Sequence, residues 1–152
     1  MLSLKISNIK NLPILILILC LVSIGTEITF LNKIFWIILV FISYFLLKFN
    51  FRFKNLLTGG YALIAIYIQL RFDQFVFSEE FFLNCLAILI IAKYSELITK
   101  NNQLSFSMIS MIIAVASLIK GQDLFSSITS LTIIILSVVN MYLVQQKELM
   151  DF

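Results

Sequence analysis

The sequence predicts an all-α fold: a polytopic transmembrane bundle of about six helices with its N-terminus in the cytoplasm. Three observations predict it. The 152 residues are 61% hydrophobic and 12% charged, with mean hydropathy +1.07, whereas soluble domains run about half apolar and a quarter charged. Polar residues are too few to cover a water-facing surface, so hydrocarbon must be the solvent for much of the chain. Charged residues cut the apolar sequence into six runs, and Lys and Arg fall unevenly on the two sides that those runs define. One Pro and four Gly leave no sign of a linker, so residues 1–152 read as a single integral membrane domain.

Residues 1–11 carry Lys5 and Lys10 ahead of the apolar run 12–24, the layout of a signal peptide. Ile24, Gly25 and Thr26 make a poor cleavage site, and Leu19 stands where a lipoprotein Cys20 would need a small residue. An uncleaved first helix over about 11–26 is the better reading. The second run, 34–47, lies between Lys33 and Lys48. It is short of the roughly 17–25 residues of a full span, but its flanking lysines can snorkel outward. The third, about 55–70, carries Gly59, Gly60, Ala62 and Ala65. The fourth is about 81–98, the fifth about 104–119 and the sixth about 124–145; the last two fit a span most comfortably. The alternative is that one or two of the first three lie in the interface or re-enter.

Helix ends follow the same plan. Ser78 is a candidate cap for the fourth helix, with Glu79 and Glu80 in the first turn, where the helix dipole favours negative charge. Thr99–Gln103 reads as a polar turn, Gly121 as a stop after the fifth helix and Asp123 as a cap for the sixth. The loop 71–78, RFDQFVFS, mixes aromatics and charges and suits an outer interface. With six alternating helices, Lys5, Lys10, Lys48, Arg52, Lys54, Lys93, Lys100 and Lys147 fall on one side, eight in all, against Lys33, Arg71 and Lys120 on the other. The richer side is cytoplasmic and holds both termini.

The charge of +3 is therefore charge placed around a bilayer, with no nucleic-acid partner implied. The chain has no histidine, which excludes His-based catalysis and His metal sites within it. Cys20 and Cys85 lie inside apolar runs and read as small core hydrophobes. Glu27, Asp73, Glu79, Glu80 and Asp123 are scattered over three loops without motif spacing, so solvated charge is preferred to a cation site. No P-loop, Rossmann glycines, Cys-x-x-Cys or nucleophile–His arrangement occurs. No catalytic residue, metal ligand or cofactor is expected, and the chain reads as a non-enzyme.

Two constellations stand out. Ser107, Ser110, Ala114, Ser117 and Gly121 recur at spacings of three and four, a stripe of small residues on the fifth helix. Ser127, Ser130, Ser137 and Asn140 answer on the sixth, and Cys85, Ala92, Ser95 and Thr99 on the fourth. Close helix packing is the first reading and a polar solute pathway the second. Lys93, Glu96 and Lys100 stand at i, i+3 and i+7, near the cytoplasmic end of an apolar run. An interfacial ion pair locking the hairpin is preferred to a proton or ligand site.

The run from about 70 to 144 resembles the N-terminal membrane domain of bacterial TgpA-type transglutaminase-like proteins. The resemblance rests on RFDQFVF, then EE, then LAILIIAKYSEL with its Lys93-x-x-Glu96 ending, a polar turn, a small-residue helix and GQDLFSSI. The first 70 residues match in layout alone. The resemblance implies a multi-pass protein of the bacterial inner membrane. In the family that domain precedes an extracytoplasmic transglutaminase-like domain with a Cys-His-Asp triad. This chain ends at Phe152 without histidine, so the activity does not transfer. The expectation is a membrane anchor or scaffold, either a split, truncated or stand-alone relative, that serves a separately encoded transglutaminase-like protein or forms a homo-oligomer. A small transporter or channel subunit is the alternative.

Overall fold

A computed structural model describes residues 11–25, 28–48, 53–72, 78–121 and 123–150. Residues 1–10, Glu27, the basic-loop residues 49–52, and 73–77 of the aromatic loop lie outside the described residues. Six α-helices and no strand occur among the described residues: α1 (Leu12–Gly25), α2 (Phe30–Lys48), α3 (Lys54–Phe72), α4 (Glu79–Ser95), α5 (Lys100–Lys120) and α6 (Leu124–Met150). Three stretches are long and apolar enough to cross a membrane: Phe30–Lys48, Lys100–Lys120 and Leu124–Gln146. The exposed surface is apolar too, with Phe30, Phe41, Leu56, Ile119 and Leu124 all more than 70% open. A water-soluble monomer rarely exposes contiguous apolar area on this scale, so these features mark a membrane protein.

α2 is longer than its charge boundaries predict. Lys33 sits inside its first turn, and the helix reaches 19 residues. The reason lies on α4: Glu80 Oε1 accepts from the backbone N of Thr29 at 3.1 Å and from Asn32 Nδ2 at 3.3 Å. Glu80 thus caps the start of a helix other than its own, which favours the early start. The hairpin turn also moves. α4 stops at Ser95, with Glu96 as its C-cap, and α5 already begins at Lys100. Thr99 Oγ1 accepts from Asn102 N at 3.4 Å, so the predicted polar turn is an N-cap plus a helical first turn. The first-turn amides look back across the break: Asn102 Nδ2 donates to the Glu96 carbonyl at 3.0 Å and Gln103 Nε2 to the Leu97 carbonyl at 2.8 Å.

Ser78 does cap α4, its Oγ accepting from Phe81 N at 3.1 Å. Gly121 does end α5, but for want of space and not for a left-handed turn. Its φ is −92°, and a Cβ there would come within 2.6 Å of the Ser126 Cβ.

α4 is the axis of the bundle. It packs against α1, α2, α3 and α5. Leu83, Leu86, Ala87, Ile88, Ile90, Ile91 and Ala92 are all buried, as expected of a helix that is apolar all round. Its outward stripe is narrow: Phe82 and Leu89 are exposed, Cys85 and Lys93 half-buried. Polar contacts sort the helix ends into two sets. The starts of α2, α4 and α6 meet the end of α5 through the Glu80 bonds, the Glu79–Lys120 pair at 3.9 Å and Ser117–Ser126 at 3.3 Å. The starts of α3 and α5 meet the ends of α2 and α4. The chain therefore runs up and down between two ends, called here the Glu80 end and the Glu96 end.

One residue on α4 breaks the rule for buried polar groups. Asn84 has no exposed surface, and neither its Oδ1 nor its Nδ2 bonds a protein atom. An unpaired buried amide costs on the order of 1–3 kcal/mol, so Asn84→Leu, close in volume, is expected to stabilise the detergent-solubilised protein by about 1 kcal/mol. Thermal unfolding of the two forms measures this; a lower midpoint for the variant shows that the amide has a native partner.

Candidate functional site

The charged cluster at the Glu96 end is built from three helices. Glu96 caps α4 in a near-bridge conformation, φ −96° and ψ 7°, and its side chain, only 9% exposed, turns back into the bundle. Its Oε2 accepts from Lys93 Nζ at 2.5 Å, the i,i+3 pair that the spacing predicts. Its Oε1 lies 2.6 Å from Thr58 Oγ1 on α3. Thr58 also stands 2.8 Å from the Lys54 carbonyl, and its single proton goes best to the charged acceptor. Lys54, little exposed, donates from Nζ to the Leu47 carbonyl at the end of α2, at 3.3 Å, within the electrostatic reach of Glu96.

Hydroxyls extend the cluster. Ser43 Oγ on α2 and Tyr61 Oη on α3 are 2.5 Å apart, and the same phenol meets Ser95 on α4. Ser95 Oγ in turn donates to the Ala92 carbonyl at 2.7 Å. One carboxylate with its neighbours therefore ties α2, α3 and α4 together. Lys93, continuing the outward stripe of α4, keeps about a third of its side chain open. Lys100 lies beyond the helix break, as the first residue of α5, so the i,i+4 relation expected with Glu96 does not exist as helix geometry.

The small-residue stripe forms the second feature. Ser107, Ser110, Ala114 and Ser117 are all buried in the contact between α5 and α6, the most extensive in the bundle. Asn140 Nδ2 donates to Ser107 Oγ at 2.8 Å, and Ser110 Oγ meets Ser137 Oγ at 2.6 Å. Nearer the Glu80 end, Ser126 Oγ donates to the Ser117 carbonyl at 3.0 Å. Sequence reasoning finds the α5 stripe and three of the four residues that answer it on α6. Ser127, expected on the seam, turns away to the Asp123 carbonyl at 3.1 Å, and Ser126 takes its place. Ser130 is on the seam but its Oγ, fully buried, has no bond.

Sequence reasoning misses Thr58, Lys54, Tyr61 and Ser43, because nothing in the local pattern of α2 or α3 points to a carboxylate 38 residues away from Thr58. It also reads Glu80 as solvated charge. Among the described residues no group of His, Cys, Asp and Glu could hold a metal ion. Chemically, the Glu96 cluster can fix helices, and it surrounds one anion with two cations. No family model, no curated protein and no solved structure matches this chain.

Removing Glu96 would leave Lys93 without its ion-pair partner, the Thr58 hydroxyl without its charged acceptor and Lys54 without a nearby counter-charge. Glu96→Ala is expected to destabilise by about 3 kcal/mol, the low end for breaking a buried pair. Lys93→Gln, at a group one-third open, should cost about 1 kcal/mol or less. Unfolding of both variants in the same detergent tests the ranking; equal losses, or a neutral Glu96→Ala, contradict the assignment of Glu96 as the hub.

Proposed function

We propose that the chain is a non-catalytic, multi-pass scaffold of the bacterial inner membrane. In this reading it anchors or assists a separately encoded transglutaminase-like protein, in keeping with its resemblance to the membrane domain of TgpA-type proteins. The observation that carries the reading is where the polar side chains go. Glu96, Thr58, Ser43, Tyr61, Ser107, Ser110, Ser137 and Asn140 all bond side chains of neighbouring segments, the pattern of a helix-packing device. Six spans with both termini cytoplasmic agree with the up-and-down order of the helix ends and with eight basic residues facing three across the two sides. Lys93, Glu96 and Lys100 then sit at the inner interface, where charge is least costly.

A second reading, a small transporter or channel subunit, draws on Asn84 and Ser130, buried groups whose bonding capacity is unused. Membrane-embedded polar groups of this kind often line solute paths. Two measurements separate the readings. Affinity capture from host membranes in mild detergent should bring down a transglutaminase-like protein, and its repeated absence counts against the scaffold. Cysteines placed at Ser110 and Ser130 should resist water-soluble thiol reagents; rapid labelling at both would favour the pathway.

A further inference from the structure

α1 and α2 both lean on α4 but make no extensive contact with each other. Between them runs an apolar groove of about 530 Å³, with Ile18, Val22 and Gly25 on one wall and Lys33, Trp36 and Val40 on the other. A second hollow, of about 490 Å³, continues along α1 from Ile18 to Asn11. At 1.5 Å per residue, the path from Gly25 back to Asn11 is about 20 Å long. One leaflet of a bilayer is about 15 Å deep, half of a ~30 Å core. The groove followed by the open face of α1 can therefore hold a lipid chain over the full depth of its leaflet.

Two polar groups stand at one end of this apolar path. Lys33, in the first turn of α2, borders the groove, and among the described residues no carboxylate pairs with it. Its neighbour Asn32 is the residue that reaches Glu80, and Lys33 is turned about 100° away from it around the helix. Trp36, one turn further on, is buried in the same wall, its ring packed beside the groove and its Nε1–H covered. A cation above a hydrocarbon channel complements a phosphate above an acyl chain. A second copy of this chain fits less well. A two-fold pairing through the groove uses the same patch twice and would bring Lys33 towards Lys33.

We propose that the groove between α1 and α2 binds one anionic phospholipid, its phosphate on Lys33, its ester region beside Trp36, and one acyl chain along Val40, Val22 and Ile18. A zwitterionic lipid brings its own ammonium group to compete with Lys33, so the site prefers a net negative headgroup. This site is independent of any partner protein.

Trp36 is the sole tryptophan in the chain, so its fluorescence reports the groove directly. The full chain is reconstituted in phosphatidylcholine vesicles, with phosphatidylglycerol or further phosphatidylcholine carrying brominated, quenching acyl chains. Brominated phosphatidylglycerol should quench Trp36 at about fivefold lower mole fraction than brominated phosphatidylcholine, the advantage of roughly one lysine–lipid contact. Lys33→Gln should bring the two lipids level. Val22→Trp carries a second fluorophore, so Val22→Phe is used to narrow the groove, and it should weaken quenching by both. Equal quenching of the wild type by the two lipids overturns the proposal, as does a preference that survives Lys33→Gln. Weak quenching by both lipids, together with cross-linking of two copies through Val22→Cys, assigns the groove to a second copy and overturns it too.

Discussion

Enclosing α4 is the constraint on which the rest of this structure depends. A helix covered on nearly every side must settle the polar groups that turn inward at its ends, and α4 has such a carboxylate at each, Glu80 and Glu96. Glu80 at its start turns to the open amide of Thr29 and to Asn32 of α2, and Glu96 at its finish turns to Thr58 of α3, with Lys54 within its electrostatic reach. Each carboxylate thus satisfies its own bonding needs by holding a neighbouring helix in place. The apolar residues between them, from Leu83 to Ala92, set distance and tilt by packing. In hydrocarbon there is no hydrophobic gain from bringing helices together, so packing and polar bonds must supply association.

α5 and α6 solve the same problem differently. Their seam is made of Ser, Ala and Gly, which let the backbones approach, and hydroxyl and amide pairs close it: Ser107 with Asn140, Ser110 with Ser137. Each such bond is worth about 0.6 kcal/mol in membrane proteins, so the seam gains as much from close fit as from polarity. Phe106, fully buried, faces the ring of Tyr94 with centroids 6.4 Å apart and joins this hairpin to the end of α4. The scaffold reading follows from this economy of polar groups, and the lipid site from the groove that α1 and α2 leave between them on α4.

Much of this was legible in the sequence, and the failures have definite physical causes. Charge punctuation located all six helices because charges seldom sit mid-span. It misplaced the start of α2 because Lys33 can lie within a first turn once Glu80 supplies the cap. The polar run after Thr99 looked like a turn, yet Thr99 itself starts a helix there. Spacings of three and four identified Ser107, Ser110, Ala114 and Ser117 correctly as one buried face. On α6 a slip of one residue, Ser127 for Ser126, is a rotation of about 100°, enough to leave the seam. The central place of α4 was hidden because a helix that is apolar all round has no patterned face to read. Its partners Thr58 and Lys54 were hidden because long-range contacts leave no local trace.

The enclosure of α4 is tested most directly by oxygen accessibility of spin labels placed one at a time from Phe82 to Ala92 in a reconstituted bilayer. High oxygen access is expected at Phe82, Cys85 and Leu89 and low access at Leu86, Ile88, Ile90 and Ile91. Uniform access along the helix, or a maximum on the Leu86–Ile90 side, would contradict it.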